Sequence, residues 1–217
     1  MQTDLAVPHA AAASEGELFN KVLGPAWPGL HADIRRRFDQ NPAPGAPLRY
    51  QGVLDTLYCS WFGRLLAHAT MPMLGGALIP YCGTDVPVDI EVYSQAGDSA
   101  IYKQRIYRLQ GRPPIRFTSF MRQSARGEVL EYVGRGLGMR LLLSVDQGNL
   151  HFQSDGYFWQ ILGRRVPIPA LLTPGKTFLW HNNLDADRFG IRIEIRHRLA
   201  GTTFVQVGVF QETGARA

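Results

Sequence analysis

The spacing of hydrophobic residues changes part-way along this chain. Between Leu18 and Phe38 apolar side chains recur every three or four positions, and from Val86 onward they recur every second one. The first period belongs to a helix with one buried face, the second to a strand with one buried face. Ser14 with Glu17 three residues later is a helix start signal, in which the hydroxyl and the carboxylate each accept from an otherwise free N–H. Leu18, Phe19, Val22 and Leu23 then form one stripe, and Gly24 and Pro25 end it. Pro28 suits the first turn of a second helix with Leu30, Ile34 and Phe38 facing inward. Asn41 to Pro47 holds three prolines and a glycine and is a loop. A strand is expected from Leu48 to Tyr58. Trp61, Phe62, Leu65, Leu66 and Ala69 return to helical spacing until Pro72.

From Val86 the pattern is that of strands joined by short turns. Strands are expected over 86–92, 101–109, 115–122, 129–133 and 137–145. Another begins at Leu150 and carries Phe152 and Phe158, and two or three more run from Phe178 to Gln211. The cleanest alternation sets Phe189, Ile191, Ile193 and Ile195 against Arg188, Arg192, Glu194 and Arg196, one face in the core and one in water. A parallel sheet needs long crossovers between strands, and no helical pattern follows Met73. The fold class expected is α+β and mainly antiparallel: a curved meander, barrel or half-barrel, with the N-terminal helices packed across it. Residues 1–13 read as a disordered lead-in and 14–213 as a single domain.

Composition narrows the function classes. The 217 residues are 45% hydrophobic and 19% charged, a globular balance. No stretch holds the roughly 18 consecutive apolar residues of a spanning helix. The net charge of +5 raises the question of polyanions. Most arginines alternate with apolar residues on strands, as solvated faces do, and the densest runs are only Arg35–Arg37 and Arg164–Arg165, so no nucleic-acid partner is expected. Cys59 and Cys82 form no ligand-spaced cluster. They read as reduced thiols of a cytoplasmic protein, with a disulfide between them left open.

Most catalytic signatures are absent. Gly134-Arg135-Gly136-Leu137-Gly138 sits between two strands and lacks the helix that a phosphate loop requires, so it reads as a kink or bulge. His151 with Asp155, and His181 with Asp185, lie four apart on extended chain, where that spacing means about 13 Å. One metal cannot bridge that distance, and no metal, cofactor or catalytic residue is assigned. Glu131 shares its side of a strand with Val129 and Val133, where a carboxylate is costly unless paired. It reads either as a pocket acid or as an edge residue paired with an arginine. His197 reads as a cap at the end of the isoleucine strand. The stronger signal is in the inward faces. Phe117, Ser119 and Met121 share one, and Phe152, Ser154, Gly156 and Phe158 share another. Large aromatics beside small hydroxyl residues leave room for a ligand. With Glu131 these form the expected pocket, and the apolar stretch Met71–Tyr81, freed by Gly75 and Gly76, is expected to cover it with the helix from Trp61.

The order of several short motifs carries a family likeness. It runs from Leu18-Phe19 with Val22-Leu23-Gly24, through Asp85-Val86-Pro87-Val88, Phe117-Thr118-Ser119 and Leu130-Glu131-Tyr132-Val133-Gly134. It continues through Asp146 to Leu150 and Val166-Pro167-Ile168-Pro169 to His197-Arg198-Leu199-Ala200-Gly201. In this order the chain resembles the bacterial family known as domain of unknown function 4166, over roughly Leu18 to Phe210. Members of that family stand alone or follow saccharopine-dehydrogenase-like NAD(P)-binding domains. The resemblance therefore implies an accessory domain in small-molecule or lipid metabolism, and it supplies no catalytic residue. Three readings stay open: a module binding a lipophilic small molecule in a curved sheet, an accessory or catalytic domain working with a separate NAD(P)-dependent oxidoreductase, and an interaction domain without a ligand. The oligomeric state is not set by the sequence.

Overall fold

Eleven strands carry the chain from Leu48 to Glu212 in the computed structural model, which describes residues 14–213 apart from 75, 76, 99 and the side chains of 72–74. The stretch read as a lead-in, and Gly75 and Gly76 of the expected cover, lie outside the described residues. The strands are β1 (Leu48–Cys59), β2 (Val86–Ser94), β3 (Ile101–Tyr107), β4 (Ile115–Gln123), β5 (Val129–Gly134) and β6 (Leu137–Asp146). They continue as β7 (Asn149–Ile161), β8 (Arg164–Ile168), β9 (Lys176–Asn183), β10 (Arg188–His197) and β11 (Gly201–Glu212).

Every pairing is antiparallel. Because β1 also pairs with β11, and β6 with β7, ten strands close into a barrel. Closure removes the open edges that a half-barrel would expose. The remaining strand, β8, hangs outside the ring on the far half of β7. It is an edge strand and carries Pro167, whose missing N–H an edge tolerates. On its side away from β6, β7 therefore serves two partners, β9 along Leu150–Gln153 and β8 along Tyr157–Ile161. Where β9 parts from β7, side chains bridge the gap. Ser154 Oγ accepts from the Thr177 N–H at 2.8 Å, and the Tyr157 and Thr177 hydroxyls lie 2.6 Å apart.

Between those two halves β7 carries a bulge. Met139 pairs with Tyr157 and Leu141 with Ser154, so β7 spends one more residue than β6 over the same span. Gly156, at φ 91°, takes the left-handed conformation this needs. A one-residue insertion turns every later side chain to the opposite face. Phe152 and Ser154 point inward as expected, but Phe158 points outward, covering Gly138 and meeting Tyr132 edge-on at 5.5 Å. Tyr157 takes the inward place instead.

Helices close both ends. Helix α1 (Glu15–Leu23) starts as its sequence predicts, with Ser14 Oγ accepting the Glu17 N–H at 3.1 Å. Ser14→Ala is expected to cost about 1 kcal/mol, read as a lower urea midpoint. Pro28 does not begin the second helix: it lies inside a 3-10 helix over Gly24–Gly29, and α2 spans Ala32–Asp39. Phe19, Trp27, Leu30 and Ile34 pack against Leu141, Leu150 and Phe152 at one end of the barrel, while Val22 is left exposed. Helix α3 (Trp61–Leu74) lies at the other end. The expected stripe is rotated here. Phe62, Gly63, Leu66 and Ala67 face the barrel, and Trp61, Leu65 and Ala69 face out. The small residues win because α3 approaches β11 closely: a Cβ on Gly63 would lie 2.6 Å from the Thr203 carbonyl oxygen.

Candidate functional site: a lined cavity in the barrel

Inward-facing residues do not fill the barrel. A cavity of about 440 Å³ remains at the α3 end, within the range of small-molecule sites. Its wall is mostly apolar, including Val133, Met139, Leu179, Ile193, Ile195 and Phe204. Leu66 and Thr70 of α3, with Ala77, Leu78 and Ile79 beyond it, line its end. The expected cover is thus in place where it is described. Met71 is exposed.

A few polar groups interrupt this wall. Tyr107 and Gln206, both buried, bond to each other at 3.2 Å. Burial pushes the Tyr107 hydroxyl above its ordinary pKa, and pushes Tyr157 up to about 12, so both are neutral donors. Arg105 and Glu131 also line the cavity. Arg105 Nη1 donates to Ser119 Oγ at 3.0 Å, and its guanidinium lies 5.5 Å from the centre of the Phe117 ring. An arginine has five N–H donors, so one bond leaves capacity for a ligand. Among the described residues the Glu131 carboxyl group makes no hydrogen bond and no contact ion pair. It is not an edge residue either, since β5 lies inside the closed ring.

A second cavity, of about 90 Å³, lies toward the α1–α2 end. Arg105, Glu131 and Leu179 stand in the walls of both. Here the lining is charged. Lys103 pairs with Glu15 at 2.8 Å, with both side chains largely buried. Arg37 is only 8% exposed and lies 4.4 Å over the Phe189 ring, and neither of its Nη atoms has a hydrogen-bond partner. Desolvation lowers its pKa, and nearby Tyr50, Asp33 and Glu212 oppose that from beyond contact distance. His181 stacks on Phe189 at 4.7 Å, and its Nδ1 is unpartnered. Burial, with the Arg37 and Lys103 charges, pushes His181 down to about 3, so the ring is neutral at physiological pH.

The seven residues expected to line a pocket divide accordingly. Phe117 and Glu131 line the larger cavity, and Met121, Phe152 and Glu131 the smaller. Ser119 stands behind Arg105, Ser154 ties β7 to β9, and Phe158 is outside. Sequence reasoning missed Arg37, Lys103, Arg105, Tyr107 and His181. A signal existed in β3, where Ile101, Lys103, Arg105 and Tyr107 share one face, but both faces of that strand mix polar with apolar residues. The other candidates do not converge on Glu131. Asp146 is exposed beside the β6–β7 turn, Asp155 pairs with Arg140 on the surface, and His151 meets Trp180 edge-on on the outer face. His197 is buried rather than near water, and its Nδ1 accepts from the N–H groups of Leu199 and Ala200 at 3.2 and 3.1 Å, capping the turn after β10. Among the described residues no three His, Cys, Asp or Glu side chains cluster as a metal site, and no helix is long and apolar enough to cross a membrane.

Fold and interior together define a closed ten-strand antiparallel barrel around a lined cavity. A family model described as domain of unknown function (DUF4166) matches residues 30–210, and the chain belongs to that family. The likeness seen in its motif order is thereby borne out. No curated protein matches the chain.

Proposed function

We propose that the barrel binds a lipophilic small molecule in its larger cavity. The observation that carries this is the cavity itself, about 440 Å³ with a mostly apolar wall. Leaving an apolar space of that size unfilled forgoes the packing contacts that larger side chains would make there. A sequence shaped for stability alone fills such a space with larger side chains, and a sequence that keeps it does so for an occupant. Binding without catalysis suits the scatter of Asp146, His151 and His197 away from Glu131. Two free thiols, Cys59 and Cys82, suit a reducing, cytoplasmic setting.

The test is a titration with N-phenyl-1-naphthylamine, an uncharged fluorophore that brightens in apolar surroundings. Saturable binding at one site per chain, reversed by dodecanol, is the expected result. A linear, unsaturable response that dodecanol does not reverse would refute the proposal.

A further inference from the structure

We infer that the smaller cavity is a carboxylate site, and that the ligand of the barrel is an amphiphile whose acid head meets Arg37 while its alkyl tail occupies the larger cavity. This rests on the proposed lipophile site and adds the chemistry of its head.

The charge balance of the smaller cavity carries the argument. Three cationic side chains, Arg37, Lys103 and Arg105, and two carboxyl groups, Glu15 and Glu131, stand in its wall. Lys103 is matched by Glu15 at 2.8 Å. Arg37 is matched by nothing in contact: both Nη atoms are buried without a partner. A buried cation with free donors costs stability unless an anion completes it. The planar fork of a guanidinium fits a carboxylate through two parallel bonds. Around it lie Tyr50, kept protonated by burial, and the neutral His181 with its unpartnered Nδ1, which can supply further hydrogen bonds. About 90 Å³ holds a head group and no more. Arg105, Glu131 and Leu179 border both cavities, so a tail leaving Arg37 passes between them into the apolar space beyond.

Displacement of the bound fluorophore by dodecanoate and by dodecanol, near neutral pH, tests the inference. A charge-assisted pair favours the acid by about tenfold or more. In Arg37→Met that preference disappears while dodecanol binds as before. The variant is expected to fold with an unchanged or raised Tm, since it removes an unpaired buried charge. Arg37→Gln replaces it if methionine unfolds the barrel. Equal displacement by acid and alcohol in the unaltered protein, or a preference that survives Arg37→Met, overturns the inference and leaves the lipophile reading standing. If neither compound displaces the fluorophore, the lipophile reading fails. In that case a rise in Tm with sodium acetate, abolished by Arg37→Met, upholds the site as one for a free small carboxylate, and no such rise overturns it.

Discussion

Val133→Trp is expected to abolish fluorophore binding and leave the barrel folded with its stability nearly unchanged. Val133 points inward from β5, is 9% exposed and lines the larger cavity. An indole at this position takes up space that the account assigns to ligand. Forcing a larger side chain into a filled core costs typically 1–3 kcal/mol through strained rotamers and backbone shifts. Building one into an existing apolar void adds buried contacts at little strain. The two cases separate in one pair of measurements. Affinity for N-phenyl-1-naphthylamine falls by more than about tenfold, 1.4 kcal/mol, while the urea midpoint holds or rises. A variant that is clearly destabilised yet still binds the fluorophore would place the binding elsewhere and show the interior to be packed.

Stability is expected to fall on mild acidification, by about 2 kcal/mol between pH 6.5 and 4.5. The cause is His181. In the unfolded chain its imidazole takes up a proton near its ordinary pKa of 6.5, whereas in the barrel it stays neutral down to about 3. Between those values the unfolded state holds up to one more proton, so each pH unit lost costs up to about 1.4 kcal/mol. The groups facing His181 reinforce this, since Arg37 and Lys103 both oppose a further positive charge. Carboxylates act in a lower window. Glu128, held down to about 2 mainly by Arg165, stabilises the fold above its unfolded pKa and loses that contribution only as pH falls from about 4.5. Asp98, Asp185 and Glu194, also lowered, behave alike. Urea denaturation at half-unit steps reads the slope directly. His181→Phe, which keeps the stack on Phe189, is expected to flatten it between pH 6.5 and 4.5. An unaltered slope in that variant would contradict the assignment.

Parts of this architecture are legible in residue order because they rest on local physics. The Ser14 cap and the alternation of Phe189 to Ile195 each depend on neighbours within a few positions, and both stand as the sequence implies. Closure is different. The pairing of β1 with β11 joins residues some 150 positions apart, Tyr50 with Glu212 among them, and no local pattern distinguishes a closed ring from a half-barrel. Phe158 departs from the alternation for a related reason. Strict alternation puts it with Phe152, and only the bulge at Gly156, set by the pairing with β6, turns it outward. Arg37 shows the limit most clearly. In a run of three arginines each reads as solvated, and only the packing of α2 on the barrel reveals which one is buried. Of the residues expected from the inward faces, Phe117, Met121, Glu131 and Phe152 line the two cavities, while Arg37, Lys103 and Arg105 are placed there only by the structure.

Contact between ligand and interior is the point on which the account depends. Nuclear Overhauser spectroscopy of the complex with dodecanol measures it directly, using protein labelled at isoleucine, leucine and valine methyl groups. The alkyl protons are expected to show contacts with the methyls of Val133, Leu179, Ile193 and Ile195, which line the cavity. Contacts confined to the exposed Leu65, Leu162 and Leu199 on the outer surface, with none to the interior four, would contradict it.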